Sequence, residues 1–286
     1  MSEPGAIRDV SDTALWVAMY RALESERPDA LFKDVYARRL AGERGAAILD
    51  ALPGGKATAW PMVVRTCVFD ELILSAVRER GALSVVNLAA GLDTRPYRLD
   101  LPRELKWLEV DMPEMIDHKR KVLAGEAPRC RLERLALDLS DLSARRGLFD
   151  RLEESGEPTL VVTEGLLIYL TTEAVTSLAY DLHERPSLRW WLVDFASPDL
   201  LKMLEKRWGA SLKGRAEFKF STAEGTAFFT KRGWDVAEER SPMDEARRLK
   251  REMPYAWVSR LLGAFAGSET RERWRRYSTF ALLERS

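Results

Sequence analysis

Histidine and cysteine are nearly missing from this chain, two of each in 286 residues. Cys67 and Cys130 make no disulfide framework and have no metal-ligating neighbours in sequence. With His118 and His183 as the whole imidazole supply, neither a histidine-based metal site nor a catalytic triad has its parts, and no metal is expected. So little cysteine suits a reducing cytoplasm, the expected location. An excess of either charge is also missing, since Lys+Arg and Asp+Glu both number 45. A general nucleic-acid binder rests on surplus cations, so no nucleic-acid partner is expected. No apolar run reaches membrane-spanning length, and MSEPGAIRDVSDTALW lacks the basic-then-apolar pattern of a secretory signal, so no membrane partner is expected either. No repeat, low-complexity tract or linker interrupts the chain, and a 46% hydrophobic fraction is ample for one large domain. The oligomeric state is not legible.

The chain divides by its hydrophobic rhythm. Residues 11–80 read as helical: Ser11 and Asp12 cap a segment through Leu23, and Pro28-Asp29 opens another through Leu40. Pro61 starts PMVVRTCVFDELILSAVRER, closed by Gly81. From Ser84 strands and helices alternate, with apolar or alternating runs at 85–89, 107–110, 131–137, 159–165, 189–196, 233–239 and 277–285. That pattern predicts an α/β fold, a doubly wound, seven-stranded, mainly parallel sheet with helices on both faces, its last strand antiparallel at or near an edge. One domain is expected: a helical N-terminal cap over 1–82, a cofactor-binding core over 83–196, and substrate-side insertions with the last strands over 197–286. The segment 198–231 and the helix PYAWVSRLLGAF (254–265) are expected to join the cap. Trp190-Trp191 read as core, while His118 and the basic runs ARRL, KRK and RRLKRE read as solvated helix faces.

Chemistry concentrates where the strands end. VVNLAAGLDTRPYRL, residues 85–99, is a buried strand followed by the small-residue turn Ala89-Ala90-Gly91, which brings backbone and its N–H groups close to a ligand. KWLEVD, residues 106–111, ends in acid, as a strand holding ribose hydroxyls does, with Glu109 and Asp111 on one face as rival ligands. Asp93, Asp138-Leu139, Glu164-Gly165 and Asp194 stand after the other strands. So many carboxylates suit a hydroxyl-rich ligand carrying an ammonium or sulfonium, and would repel a pyrophosphate. AAGLDT also fails the GxGxxG fingerprint at Thr94. S-adenosyl-L-methionine therefore fits better than NAD.

NLAAGLDTRPYRL, WLEVDMPEMIDHKRKVL, LDLSD and VVTEGLLIYLTTEAV, in that order, resemble the leucine carboxyl methyltransferase family, above all its bacterial members, which include enzymes acting on polyketide carboxylates. DTALWVAMYRALESERPDALFKD and the helix with VVRTCVFDELI are similar to that family too, so the likeness runs from about residue 10 to 240. The resemblance implies a class I, Rossmann-like O-methyltransferase using S-adenosylmethionine. It implies Arg65 on the methionine carboxylate, Gly91 at the closest backbone approach with Ala89, Ala90 and Asp93 beside it, and Asp111 on the ribose. It further implies Asp138 and Leu139 at the adenine, Glu164 near the ammonium, and Tyr169 near the transferred methyl. One departure stands out: the family usually has glycine where this chain has Ala89, which narrows the allowed backbone.

A carboxylate acceptor is already ionised at neutral pH and needs no general base, in keeping with so few histidines. The expected substrate is a small-molecule carboxylic acid, converted to its methyl ester, with Arg21, Arg65 and Tyr169 as partners for the anion. Alternatives are a phenol or hydroxyl O-methyltransferase, a protein C-terminal carboxyl methyltransferase, and a cofactor-binding protein without turnover.

Overall fold

The computed structural model describes residues 7–55, 58–212, 214–252 and 277–286. Seven strands form one sheet: β1 (Ser84–Leu88), β2 (Lys106–Asp111), β3 (Arg131–Ala136), β4 (Thr159–Thr163), β5 (Trp190–Ala196), β6 (Trp234–Arg240) and β7 (Ser278–Arg285). Their order is β3-β2-β1-β4-β5-β7-β6. Neighbours are parallel up to β5, and β7 runs antiparallel to both β5 and β6. The late strand thus lies one place in from the edge. The order reverses between β1 and β4, and the crevice above their carboxyl ends is where ligands sit in such sheets.

Strand burial explains the layering. Val86, Leu88, Val161 and Trp191 pack on one face with Phe149, Val175, Leu178 and Leu182, which come from α6 (Leu142–Ser155) and α7 (Thr172–His183). Val85, Leu160, Val162, Trp190 and Leu192 pack on the other with Val64, Val68, Phe69, Leu72 and Ile73 of α3 (Ala59–Arg78). Residues that alternate along a strand therefore feed opposite layers, and the tryptophan pair splits between them. The short α4 (Arg95–Arg98) and α5 (Pro113–Val122) complete the first two crossovers.

A third apolar cluster joins α1 (Ser11–Ser25) and α2 (Ala37–Ala51) to Leu92, Tyr97 and Met115. Here the structure departs from the sequence reading: no helix runs from Pro28 to Leu40. Asp29 is exposed and paired with Arg27. Buried Asp34 is the residue that starts the helix, its Oδ1 accepting the N–H groups of Tyr36 (3.2 Å) and Ala37 (3.0 Å). Its Oδ2 takes Arg21 Nε at 2.9 Å and the Thr94 hydroxyl at 2.7 Å, so helix start and cap docking share one carboxylate. Asp12 likewise gives no cap to α1 but binds Arg8 and Arg44.

Three solvated-face readings also change. Lys119 of the KRK run is fully buried against Glu109, and Arg251 of RRLKRE is largely buried against Glu24. His118 is half-buried and donates from Nε2 to the Leu40 carbonyl oxygen at 2.9 Å. Arg38 and Arg39 of ARRL remain exposed. After β5, α8 (Pro198–Leu212) and α9 (Ala227–Thr230) precede β6, and α10 (Pro242–Arg248) follows it. The expected helix at 254–265 lies outside the described residues.

Ala89 adopts φ +54°, left-handed backbone that costs a residue with a Cβ about 1 kcal/mol or more. Ala89→Gly removes that strain, offset in part by added freedom in the unfolded chain. The variant is expected to gain up to about 1 kcal/mol in urea unfolding; a loss of stability would show that the alanine is not strained.

Candidate functional site

The site is built from the loops after β1, β2, β4 and β5. Leaving β1, the chain turns back through two left-handed residues, Ala89 and Gly91 (φ +49°). Ala90 N–H donates to the Val110 carbonyl oxygen (3.1 Å) and Asp93 N–H to that of Ala90 (3.0 Å), which fixes the turn against β2. Asp111, at the end of β2, accepts the Gly91 N–H on Oδ2 (2.6 Å) and the Met112 N–H on Oδ1 (2.7 Å). Burial raises its pKa, and the two N–H donors oppose that rise. The rival Glu109 is enclosed, its oxygens taken by Lys119 Nζ (2.8 Å) and Arg134 Nε (2.8 Å). Asp111 is therefore the carboxylate presented beside the turn. Above it, a Cβ on Gly91 would lie 3.3 Å from the Ala14 methyl, so α1 roofs this position.

Below the other half of the crevice lies a set of buried ion pairs. Glu164, just past β4, accepts Arg65 Nε on Oε1 (2.9 Å) and Arg95 Nη1 on Oε2 (2.6 Å). Arg65 also donates from Nη1 to Asp194 Oδ2 at 3.0 Å, and the Gly165 N–H donates to Asp194 Oδ1 at 2.6 Å. Gly165 is left-handed (φ +67°), and a Cβ there would meet the Arg65 guanidinium at 2.9 Å. Arg95 continues the set to Asp70 Oδ1 (2.7 Å) and Asp93 Oδ2 (3.2 Å), and Arg98 holds Asp70 from the other side. Asp93 faces inward, accepting Asn87 Nδ2 (2.8 Å) and the Arg95 N–H (2.9 Å).

Burial raises the pKa of both Asp93 and Glu164, yet the arginines prevail. Arg95 above all brings the Asp93 carboxyl down to about 2, and Arg95 with Arg65 holds Glu164 below the usual range. Asp194 differs: burial, with Glu164 adding, raises it against Arg65 and the Gly165 N–H.

Tyr169 closes a single 3-10 turn (Leu167–Tyr169), its ring 5.7 Å from that of Phe218. Its hydroxyl meets Thr13 of α1, and Arg65 and Asp194 are near enough to act on it, while burial raises its pKa. Arg65, Glu164, Tyr169 and Asp93 thus come together, with Ala89, Ala90, Gly91 and Asp111 forming the adjoining wall. Asp138 is exposed at the rim, accepting the Ser140 N–H at 2.8 Å, and Leu139 packs half-buried beside it. Arg21 is not free for a substrate anion. It is buried, with Nε on Asp34 and Nη2 on the Leu92 carbonyl oxygen, so it fastens α1 to the turn.

Asp70, Arg95 and Arg98 were not anticipated. A signal for Asp70 was present, since it stands among Val68, Phe69, Leu72 and Ile73, where a carboxylate needs a cationic partner. Nothing local marks Arg95 or Arg98, which read as the polar start of a short helix.

The fold and this crevice define a class I methyltransferase architecture. A crystallised protein from Thermobifida fusca, described as a "putative methyltransferase", superimposes with a TM-score of 0.59 at 14% identity, covering 98% of this chain and 96% of its own. A duf574 family protein from Streptomyces avermitilis gives 0.57 at 12%, covering 94% and 97%. At such identities these likenesses establish the fold alone. The leucine carboxyl methyltransferase family profile matches residues 14–182, and the chain belongs to that family. Curated relatives named "Putative S-adenosyl-L-methionine-dependent methyltransferase" include one from Parafrankia sp., 39% identical over 60% of this chain and 58% of its own, and one from Mycolicibacterium smegmatis, 40% identical over 58% and 59%. The matched stretch spans about three fifths of the length of these relatives.

The depressed Asp93 carboxyl carries a pH signature. Its contribution to stability is full above its ordinary value near 3.8 and is lost as pH falls through about 2. Asp93→Asn is expected to lose about 2 kcal/mol at pH 7 and to show a shallower stability loss below pH 4. Circular dichroism melts across pH 2–7 measure both. Equal acid slopes in the two proteins would contradict an ionised, paired Asp93.

Proposed function

We propose that this chain is an S-adenosylmethionine-dependent O-methyltransferase that converts the carboxylate of a small organic acid to its methyl ester. The observation that carries the reading is the placement, at one switch point, of buried Arg65 beside Glu164 with the Asp111-anchored Gly91 turn alongside. The donor set fits the cofactor group by group. Arg65 would take its carboxylate, Glu164 its ammonium, Asp111 the ribose hydroxyls, and Asp138 and Leu139 the adenine, with the Ala89-Ala90-Gly91 backbone closest and Asp93 behind it. When bound, S-adenosylmethionine supplies a methyl on a sulfonium, which an anionic oxygen displaces in line.

The chain's own part is to bind, align and keep water out. A carboxylate acceptor, with a pKa of about 4, arrives ionised, so no side chain has to remove a proton. The surroundings agree, offering arginines, carboxylates and the Tyr169 hydroxyl, whose raised pKa keeps it a hydrogen-bond donor. Tyr169 would hold the acceptor, with Arg65 behind it on the cofactor carboxylate, and Arg21 serves by fixing the roof. The close approach of Ala14 to Gly91 favours an enclosed small acceptor over a protein tail.

Labelled-methyl transfer from the cofactor to a panel of organic acids and phenols tests the reading. A base-labile ester is expected, and a base-stable product would overturn the carboxylate assignment. Arg65→Ala is expected to raise the cofactor Kd at least about tenfold, from loss of a charge-assisted pair. Unchanged affinity by calorimetry in the folded variant would remove Arg65 from the site.

A further inference from the structure

The buried charges beneath the switch point do not balance. Arg95 is bound to Asp70, Asp93 and Glu164, Arg98 to Asp70, and Arg65 to Glu164 and Asp194. One connected set therefore holds three guanidinium groups and four carboxylates. No side chain in it is more than 16% exposed, so solvent screens the imbalance poorly. Nearby cations do not make up the deficit: Lys119 and Arg134 share Glu109, the extra positive charge there is offset by the Asp111 carboxylate, on which Lys119 also acts, and Arg21 is taken by Asp34. The surplus falls on Asp194. Glu164 and Asp70 have two arginine partners each, while Asp93 and Asp194 each have one that is shared. Asp93 accepts three hydrogen bonds, from Asn87 Nδ2, the Arg95 N–H and Arg95 Nη1, whereas Asp194 accepts two, from Arg65 Nη1 and the Gly165 N–H.

We propose that Asp194 is a specificity-determining residue, whose surplus negative charge makes the site select a ligand with one net positive charge. This rests on the cofactor reading above and goes beyond it. S-adenosylmethionine has an ammonium and a sulfonium against one carboxylate, a net charge of about +1 at neutral pH. Methyl transfer leaves the electron pair of the broken S–C bond on sulfur, so S-adenosylhomocysteine is neutral overall. The two ligands share every other group, and only the first neutralises the set. The acceptor carboxylate loses its own charge in the same step, so once the neutral ester has left, the spent ligand no longer matches the set, which favours its exchange for a cationic one. The rise in the Asp194 pKa agrees with a carboxylate short of a counter-charge.

Asp194→Asn separates charge from shape, because its amide oxygen can still accept the Gly165 N–H. Calorimetry with S-adenosylmethionine, S-adenosylhomocysteine and sinefungin, in which a charged amine replaces the methylated sulfur centre, reads the effect. In the wild type the two cationic ligands are expected to bind about tenfold tighter than the neutral one. In Asp194→Asn that ratio is expected to fall to near parity, through weaker binding of the cationic pair. Equal weakening of all three ligands, or an unchanged ratio, would overturn the proposal and leave Asp194 a mere support for Arg65. Should the variant fail to fold, the wild-type ratio decides, and a neutral ligand binding as tightly as the cationic ones overturns it. Failure of the wild type to bind any of the three would instead overturn the cofactor reading.

Discussion

A guanidinium taken out of water must be met by carboxylates, and the crevice depends on that demand at Arg95. This side chain is 2% exposed and reaches carboxylates from three places: Asp70 on α3, Asp93 in the β1–α4 loop and Glu164 after β4. Removing Arg95 would leave three buried carboxylates short of the counter-charge they share, at a cost of about 3–5 kcal/mol. Helix, turn and strand end are thereby held in mutual register before any ligand arrives. Preorganisation of this kind lets a polar site act in a poorly solvated space.

The cap is attached by the same physics in miniature. Arg21, Asp34 and Thr94 join α1, the start of α2 and the turn after β1 through one buried carboxylate. Asp12 does similar work between α1 and α2, held by Arg44 and Arg8 to a pKa of about 2 although burial opposes it. Apolar packing of Trp16, Met19, Leu40 and Ile48 gives the cap its bulk, and these ion pairs give it a defined position.

The sheet was legible because strand burial writes itself into runs such as SVVNL and TLVVT, and the switch point follows from strand order. Gly91, Asp111 and Glu164 stood out by their places after strands and Arg65 through the family resemblance, and the fold brings the four to one crevice. What lay hidden is nonlocal. Asp70 and Arg95 are 25 residues apart, and no periodicity joins them. Glu109 and Asp111 share a strand face, and what encloses Glu109 is Lys119, ten residues on in a run that reads as solvated, together with Arg134 of the next strand. Pro28-Asp29 is as good a helix start as local chemistry offers, and it yields to Asp34 because tertiary partners reward that carboxylate with burial.

The place of β7 bears on how the molecule is made. It is the last of the described strands in sequence, yet it lies between β5 and β6 and is the strand with which β6 pairs. On the ribosome, β6 emerges with no neighbour and waits while residues 241–277 are synthesised. Until then β5, with Trp190, Leu192 and Phe195, is an open apolar edge, a surface on which nascent chains associate. One late strand remedies both at once, covering the β5 edge and giving β6 its only described neighbour, so two earlier strands depend on a segment made after them.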